Sequence, residues 1–104
     1  MKVVEKRWGC EIWWANTRYY LGKLLVIKPN MCTSLHVHKE KDETMYVLHG
    51  GLETKGDVGN KLYAAGGVLR ILPFQTHRLI AGPEGLTLIE VSTPHPEDSM
   101  RVEL

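Results

Sequence analysis

The sequence lacks any long apolar run. Its longest purely aliphatic stretch is Leu24 to Ile27, whereas a helix that crosses a bilayer needs about 20 such residues, so no transmembrane helix is predicted. A secretory signal is not expected either, because Glu5, Lys6 and Arg7 fall where an apolar segment would have to lie. A cytoplasmic location is the resulting expectation. An excess of charge of one sign is missing too: 13 Lys and Arg stand against 12 Asp and Glu, for a net charge of +1. The charges alternate, as in Glu40-Lys41-Asp42-Glu43, which leaves no basic stripe for a nucleic-acid backbone. Cysteine is scarce. Cys10 and Cys32 form no Cys-x-x-Cys motif and read as reduced, partly buried small residues without chemistry. Helical periodicity is also absent: no segment holds an i, i+3, i+4, i+7 apolar pattern for three turns, and the best helical candidate, Pro96 to Met100, is a single turn.

What is present is β-strand signal in a chain of 104 residues and 11.8 kDa. That length supports one domain, residues 1–104, burying about 65% of the surface of its unfolded chain. Breakers recur every eight to twelve residues, at Pro29-Asn30, Gly50-Gly51, Asp57 to Asn60, Gly66-Gly67, Pro73 and Gly82-Pro83, with short β-branched and aromatic runs between them. This spacing predicts an all-β sandwich or barrel. The expected strands are Gly9 to Trp14, Arg18 to Ile27, Thr33 to His38, Thr44 to His49, Leu52 to Lys55, Asn60 to Ala64, Val68 to Leu72, His77 to Ala81, Leu86 to Val91 and Met100 to Leu104.

The chemistry concentrates in His36-Val37-His38, Glu43 and Gly50, with His77 downstream. Side chains alternate faces along a strand, so His36 and His38 point to one side about 7 Å apart. If Lys39 to Asp42 turn, the returning strand carries Glu43 back beside them. Three imidazoles and a carboxylate can fill four positions of an octahedral divalent ion and leave two open. This mixed nitrogen and oxygen set suits one Zn, Mn, Fe, Ni or Co ion without choosing among them.

The pattern His36-x-His38-x4-Glu43-x6-Gly50 resembles the first motif of the cupin superfamily, with Asn30 at the position of its leading glycine. Asn accepts a left-handed backbone better than most residues. Gly66, Leu72, Phe74, His77 and Ala81 match the second motif more loosely, Phe74 standing where a glycine is usual and Ala81 where an asparagine is usual. Within the cupins the chain is most similar to the mannose-6-phosphate isomerase-like group. Trp8-Gly9, His77-Arg78-Leu79, and Ile89 to Pro94 with Asp98 and Arg101 carry that likeness. The resemblance implies a single double-stranded β-helix, or jelly-roll, barrel with metal ligands His36, His38, Glu43 and His77. It also implies a homodimer and a sugar-phosphate isomerase-like activity on a small polar carbohydrate.

Aldose–ketose isomerisation needs a group that moves a proton between adjacent carbons. Glu90, inside the apolar stretch Leu86 to Val91, and His49, on the same strand parity as Glu43, are the candidates. Lys23, Arg70 and Arg78 are candidate substrate-binding cations, and the cluster Trp8, Trp13, Trp14, Tyr19 and Tyr20 is available for packing or for stacking on a sugar. Two other readings stay open: an iron-dependent dioxygenase using the same ligands, and a non-catalytic, metal-dependent carbohydrate-binding or sensing module.

Overall fold

In the computed structural model, which describes residues 1–102, nine strands and no helix form the fold. They are β1 (Lys2–Lys6), β2 (Gly9–Asn16), β3 (Leu21–Ile27), β4 (His36–Val37), β5 (Glu43–Lys55), β6 (Leu62–Tyr63), β7 (Val68–Ile71), β8 (Arg78–Ser92) and β9 (Met100–Arg101). The order across the main sheet is β1-β2-β3-β8-β5-β6, with β7 also pairing β5 and a small β4-β9 pair beside it. Every named pairing is antiparallel. The expected single turn at Pro96 to Met100 is not a helix. The last expected strand is short, Met100–Arg101, and Glu103 and Leu104 lie outside the described residues.

Two long strands organise the barrel. β5 and β8 pair from Glu43↔Ser92 to Lys55↔Arg78, with register shifts between Val47 and His49 and between Gly50 and Leu52. These bulges bend the pair. The first half of β5 is flanked by β8 and β7 and its second half by β8 and β6. The sequence predicts two strands on either side of Gly50-Gly51 and two on either side of Gly82-Pro83; each is one continuous, bent strand. Gly50 makes the bend possible, since its φ is +85° and a Cβ there would lie 2.0 Å from the Gly85 carbonyl oxygen. Inward positions of both strands, with Leu25 and Ile27 of β3, build the core around Met45, Val47, Leu52, Ile71, Leu86 and Leu88. Toward Glu43 the same inner faces turn polar, and there the barrel opens.

Candidate metal centre

β4, the start of β5 and the start of β8 converge on one end of the barrel. His36 and His77 face each other as an antiparallel bridge, exchanging backbone hydrogen bonds of 2.9 Å in both directions. Glu43, first residue of β5, is 2% exposed, and His38 and His77 are buried beside it. One donor atom each from His38, Glu43 and His77 lies within 4.8 Å of the others. This is the only such trio found among the described residues.

Two of the imidazoles are oriented by bonds to their outer nitrogens. His38 Nδ1 bonds the backbone carbonyl of Asp98 and His77 Nδ1 bonds that of Gln75 at 3.0 Å. A carbonyl only accepts, so both Nδ1 atoms carry a proton, and it is Nε2 of each ring that faces the site. Glu43 Oε2 lies 3.2 Å from His38 Nε2 and 3.3 Å from the Lys41 ammonium, yet it is fully buried with no aligned hydrogen bond. Electrostatics follow this crowding. Burial pushes the Glu43 carboxyl up, but His38 and Lys41 outweigh it and hold it well below the ordinary value. Burial lowers His38, but the Glu43 contact overrides it and leaves the imidazole raised. His77 is lowered, chiefly by burial. A buried carboxylate oxygen without an aligned donor, facing two imidazoles whose outer nitrogens are already committed, fits a divalent cation held by two nitrogens and an oxygen.

His36 stands apart from the trio. Its ring lines the cavity, but Nδ1 bonds the Ser34 carbonyl at 2.9 Å and the Ser34 hydroxyl lies 3.1 Å from Nε2. The four expected ligands are thus brought to one cavity, with three converging and the fourth turned to its own loop.

The cavity, of about 380 Å³, also holds two expected residues and one that sequence reasoning missed. Glu90 is 2% exposed and Lys23 5%. They are register partners on β8 and β3, which places both side chains on the inner face. Lys23 pairs Glu11 at 3.1 Å and lies over the Trp13 ring. Lys41 is the missed residue. Read only as part of the turn from Lys39 to Asp42, it is 4% exposed, and its ammonium lies 2.8 Å from Glu90 Oε2 as well as near Glu43. The signal was its place two residues before Glu43, on the same strand parity. Burial alone would lower the Lys41 pKa, but Glu90 and Glu43 raise it, so it is an ammonium. Burial and then the Glu43 charge push Glu90 up, against the opposing pull of Lys41.

Three expected site residues lie elsewhere. His49 is exposed, because the bulge after Val47 reverses the parity that would have turned it inward. Arg70 is on the surface, bidentate to Asp42 at 2.6 and 3.0 Å. Arg78 begins β8 opposite Lys55, half-buried and away from the cavity lining. Of the aromatic cluster, Trp8 and Trp13 line the cavity, whereas Trp14, Tyr19 and Tyr20 are exposed.

Solved structures with this arrangement of strands share one architecture. An RmlC-like cupin from Shewanella frigidimarina superposes with a TM-score of 0.81 at 18% identity, over 92% of this chain and 86% of that one. The fold is that of the cupins. KdgF from a Halomonas species gives 0.77 at 16% identity, covering 85% and 80%. A cupin-superfamily sugar phosphate isomerase from Silicibacter pomeroyi gives 0.71 at 22% identity, covering 83% of this chain and 58% of that one. No protein-family model matches the chain, and no curated protein matches its sequence. The double-stranded β-helix is therefore carried by structure at low identity.

Proposed function

We propose that this cupin is a metal-dependent aldose–ketose isomerase of a small polar carbohydrate, with sugar phosphates as its substrate class, acting in the cytoplasm. The observation that carries the reading is the buried Lys41–Glu90 pair beside the His38, Glu43 and His77 trio. When bound, a divalent ion supplies Lewis acidity toward the carbonyl and neighbouring hydroxyl oxygens. Glu90 does the proton work: burial and the neighbouring Glu43 charge raise its carboxyl above the ordinary value, which makes it a stronger base toward a carbon-bound proton than a solvated glutamate. It removes the proton from C2 of the aldose and returns it to C1, while the proton of the C2 hydroxyl passes to the C1 oxygen through the Lys41 ammonium, so that no proton is gained or lost overall. Lys41 holds an ammonium at 2.8 Å from Glu90 Oε2, placed to hydrogen-bond the oxygens on which charge develops. His38, Glu43 and His77 would hold the ion, and His36 would join them only if its ring left Ser34.

The lining supports an anionic substrate. Lys2, Lys6, Lys23 and Lys41 balance Glu11, Glu43, Glu90 and Glu97 around the cavity, so a divalent ion leaves it positive. Lys2 and Lys6 are exposed on β1 at the mouth and meet the phosphate, while Lys23 and Glu11 meet hydroxyls further in. The neighbour described as a sugar phosphate isomerase supports the same choice. The acid–base pair favours catalysis over a binding module.

The test is interconversion of aldose and ketose phosphates by protein loaded in turn with Mn, Fe, Co, Ni or Zn. E90Q is expected to lower kcat by about 10²- to 10⁴-fold with metal content unchanged. Absence of interconversion with every fully loaded form would overturn the reading.

We infer also that two copies pair through the outer face of the main sheet. Trp14, Tyr46, Leu48, Val68 and Val91 are 43–58% exposed there. Cross-strand pairing joins Val68, Tyr46, Ile89, Leu24 and Ile12 into one row. A contiguous apolar face of this kind is unusual on a soluble monomer and suits a two-fold, self-complementary interface.

A further inference from the structure

The segment after β8 runs back across the bend between β4 and β5, the stretch that carries His38, Lys41 and Glu43. Two ties hold its start: Thr93 N–H donates to the Asp42 carbonyl at 3.0 Å, and Asp42 N–H donates to Thr93 Oγ1 at 3.1 Å. Asp98 holds its end. The Asp98 carboxylate accepts three successive backbone N–H groups, from Lys39 at 3.1 Å on Oδ1 and from Glu40 and Lys41 at 2.6 and 3.0 Å on Oδ2. Successive N–H groups converging on one anion form a nest, a rigid arrangement that a neutral acceptor fills less well. The backbone carbonyl of the same residue accepts the His38 Nδ1 proton. One residue, about sixty positions from the bend, therefore grips it at its backbone and at a ligand's outer nitrogen.

We propose that Asp98 is a positioning residue of the metal centre: its carboxylate fixes the 39–41 backbone, and this seats its own carbonyl on His38 and aims Lys41 between Glu43 and Glu90. The physical route is short. Without the carboxylate the three N–H groups lose their common acceptor, the bend relaxes, and the His38 ring loses the acceptor that holds its Nδ1 proton and turns Nε2 inward. Lys41 is itself the third of these donors and its side chain is 4% exposed, so a small backbone rotation at 39–41 takes its ammonium off the two carboxylates. Pro96, Glu97 and Ser99 of the same segment line the cavity, so the strap that sets the ligand also forms part of the wall. Nearby His95 belongs to a different contact, with Nε2 3.4 Å from Glu40 Oε2 and Nδ1 3.0 Å from Thr93 Oγ1. It touches no residue of the trio, which makes His95→Ala the control for loosening the strap without releasing His38.

This inference rests on reading His38 as a metal ligand, so the experiment keeps the two separable. In metal-free protein, long-range nitrogen–proton NMR reads which His38 nitrogen holds the proton. Cobalt(II) titration, followed by its visible absorption, then reads affinity and ligand geometry. The wild type and H95A are expected to show His38 protonated at Nδ1 and to share one Co(II) spectrum. D98N is expected to mix the two tautomers, to weaken Co(II) binding by about 10- to 100-fold, the range for losing an outer-shell partner, and to change the spectrum. A D98N protein that is folded by near-ultraviolet circular dichroism, with the wild-type tautomer and wild-type Co(II) affinity, overturns the proposal. Should D98N not fold, D98E keeps the charge but displaces it by one methylene. An intermediate loss supports the proposal, and wild-type behaviour from folded D98E overturns it. If the wild type binds no Co(II), the ligand reading of His38 fails, while the tautomer measurement still decides the role of Asp98.

Discussion

Glu43 lies between His38 and Lys41, and the pH dependence of the metal-free protein follows from that contact. Its folded pKa is below the ordinary 4.5, so its ionised form is favoured by folding. The stability it contributes is fully present above about pH 4.5 and is lost as pH falls through the lower folded value. Urea denaturation in the presence of a chelator should show wild type losing stability more steeply than E43Q below pH 4.5. A gap between the two that does not change with pH would contradict this. At the same scale, His36 separates a ligand from a neighbour. Its ring is held by Ser34, while its backbone pairs His77. Under the proposed function it would have to leave Ser34 to reach the metal. H38A should then reduce metal affinity by more than the roughly 100-fold upper range of an outer-shell loss, and H36A should fall in the same class. S34A, which frees the ring, should not weaken binding. Isothermal titration with Mn or Co checks all three, and wild-type affinity in H36A would remove His36 from the set.

At the scale of elements, the bends in β5 and β8 explain both what was legible and what was not. Alternation and breaker spacing predicted strands at nearly every observed position, and the His-x-His and Glu43 spacing pointed to the end of the barrel where the site lies. Gly50-Gly51 and Gly82-Pro83 looked like turns because glycine and proline usually end strands. Here they accommodate bends inside long strands, and the attendant bulge is what sent His49 outward. β1 went unnoticed because Lys2 to Lys6 mixes charges with valines; its even positions, Lys2, Val4 and Lys6, in fact line the cavity. Lys41 was hidden by a different cause, since only the fold could show that a lysine in a charged run is enclosed by two glutamates.

The same elements give two stability predictions. G50A places a Cβ 2.0 Å from the Gly85 oxygen at φ +85° and should cost at least about 2 kcal/mol. Phe74 holds φ +67° at 69% exposure, so F74G trades left-handed strain for glycine's greater chain entropy and should stabilise by up to about 1 kcal/mol. Urea midpoints at constant m-value test both, and an unchanged midpoint in G50A would mean that the bend does not depend on the glycine.

For the whole molecule, the barrel's inside and outside make opposite demands. Inside, apolar residues from β3, β5, β7 and β8 form the core, and the same strands carry the site at one end. Outside, the sheet should be solvated, as antiparallel sheets with one buried face usually are. Instead Tyr46, Val68 and Val91 point out from adjacent strands, and Trp14 lies against Gly22, where a Cβ would come within 2.7 Å of its ring. The Arg70–Asp42 ion pair sits at the edge of this face, giving it the apolar centre and charged margin of a protein interface. A two-fold partner placed there buries the same residues on both copies and leaves the cavity mouth open, because no residue of the face lines the cavity. Light scattering coupled to gel filtration should therefore give a mass near twice 11.8 kDa. The double variant Tyr46→Lys, Val91→Lys should run as a monomer with its circular dichroism unchanged, since both side chains are exposed in the single chain. Metal affinity should also survive, as the whole His38, Glu43 and His77 trio comes from one chain. A wild-type monomer at tens of micromolar would refute the pairing. A double variant that stays dimeric would move the interface to another face.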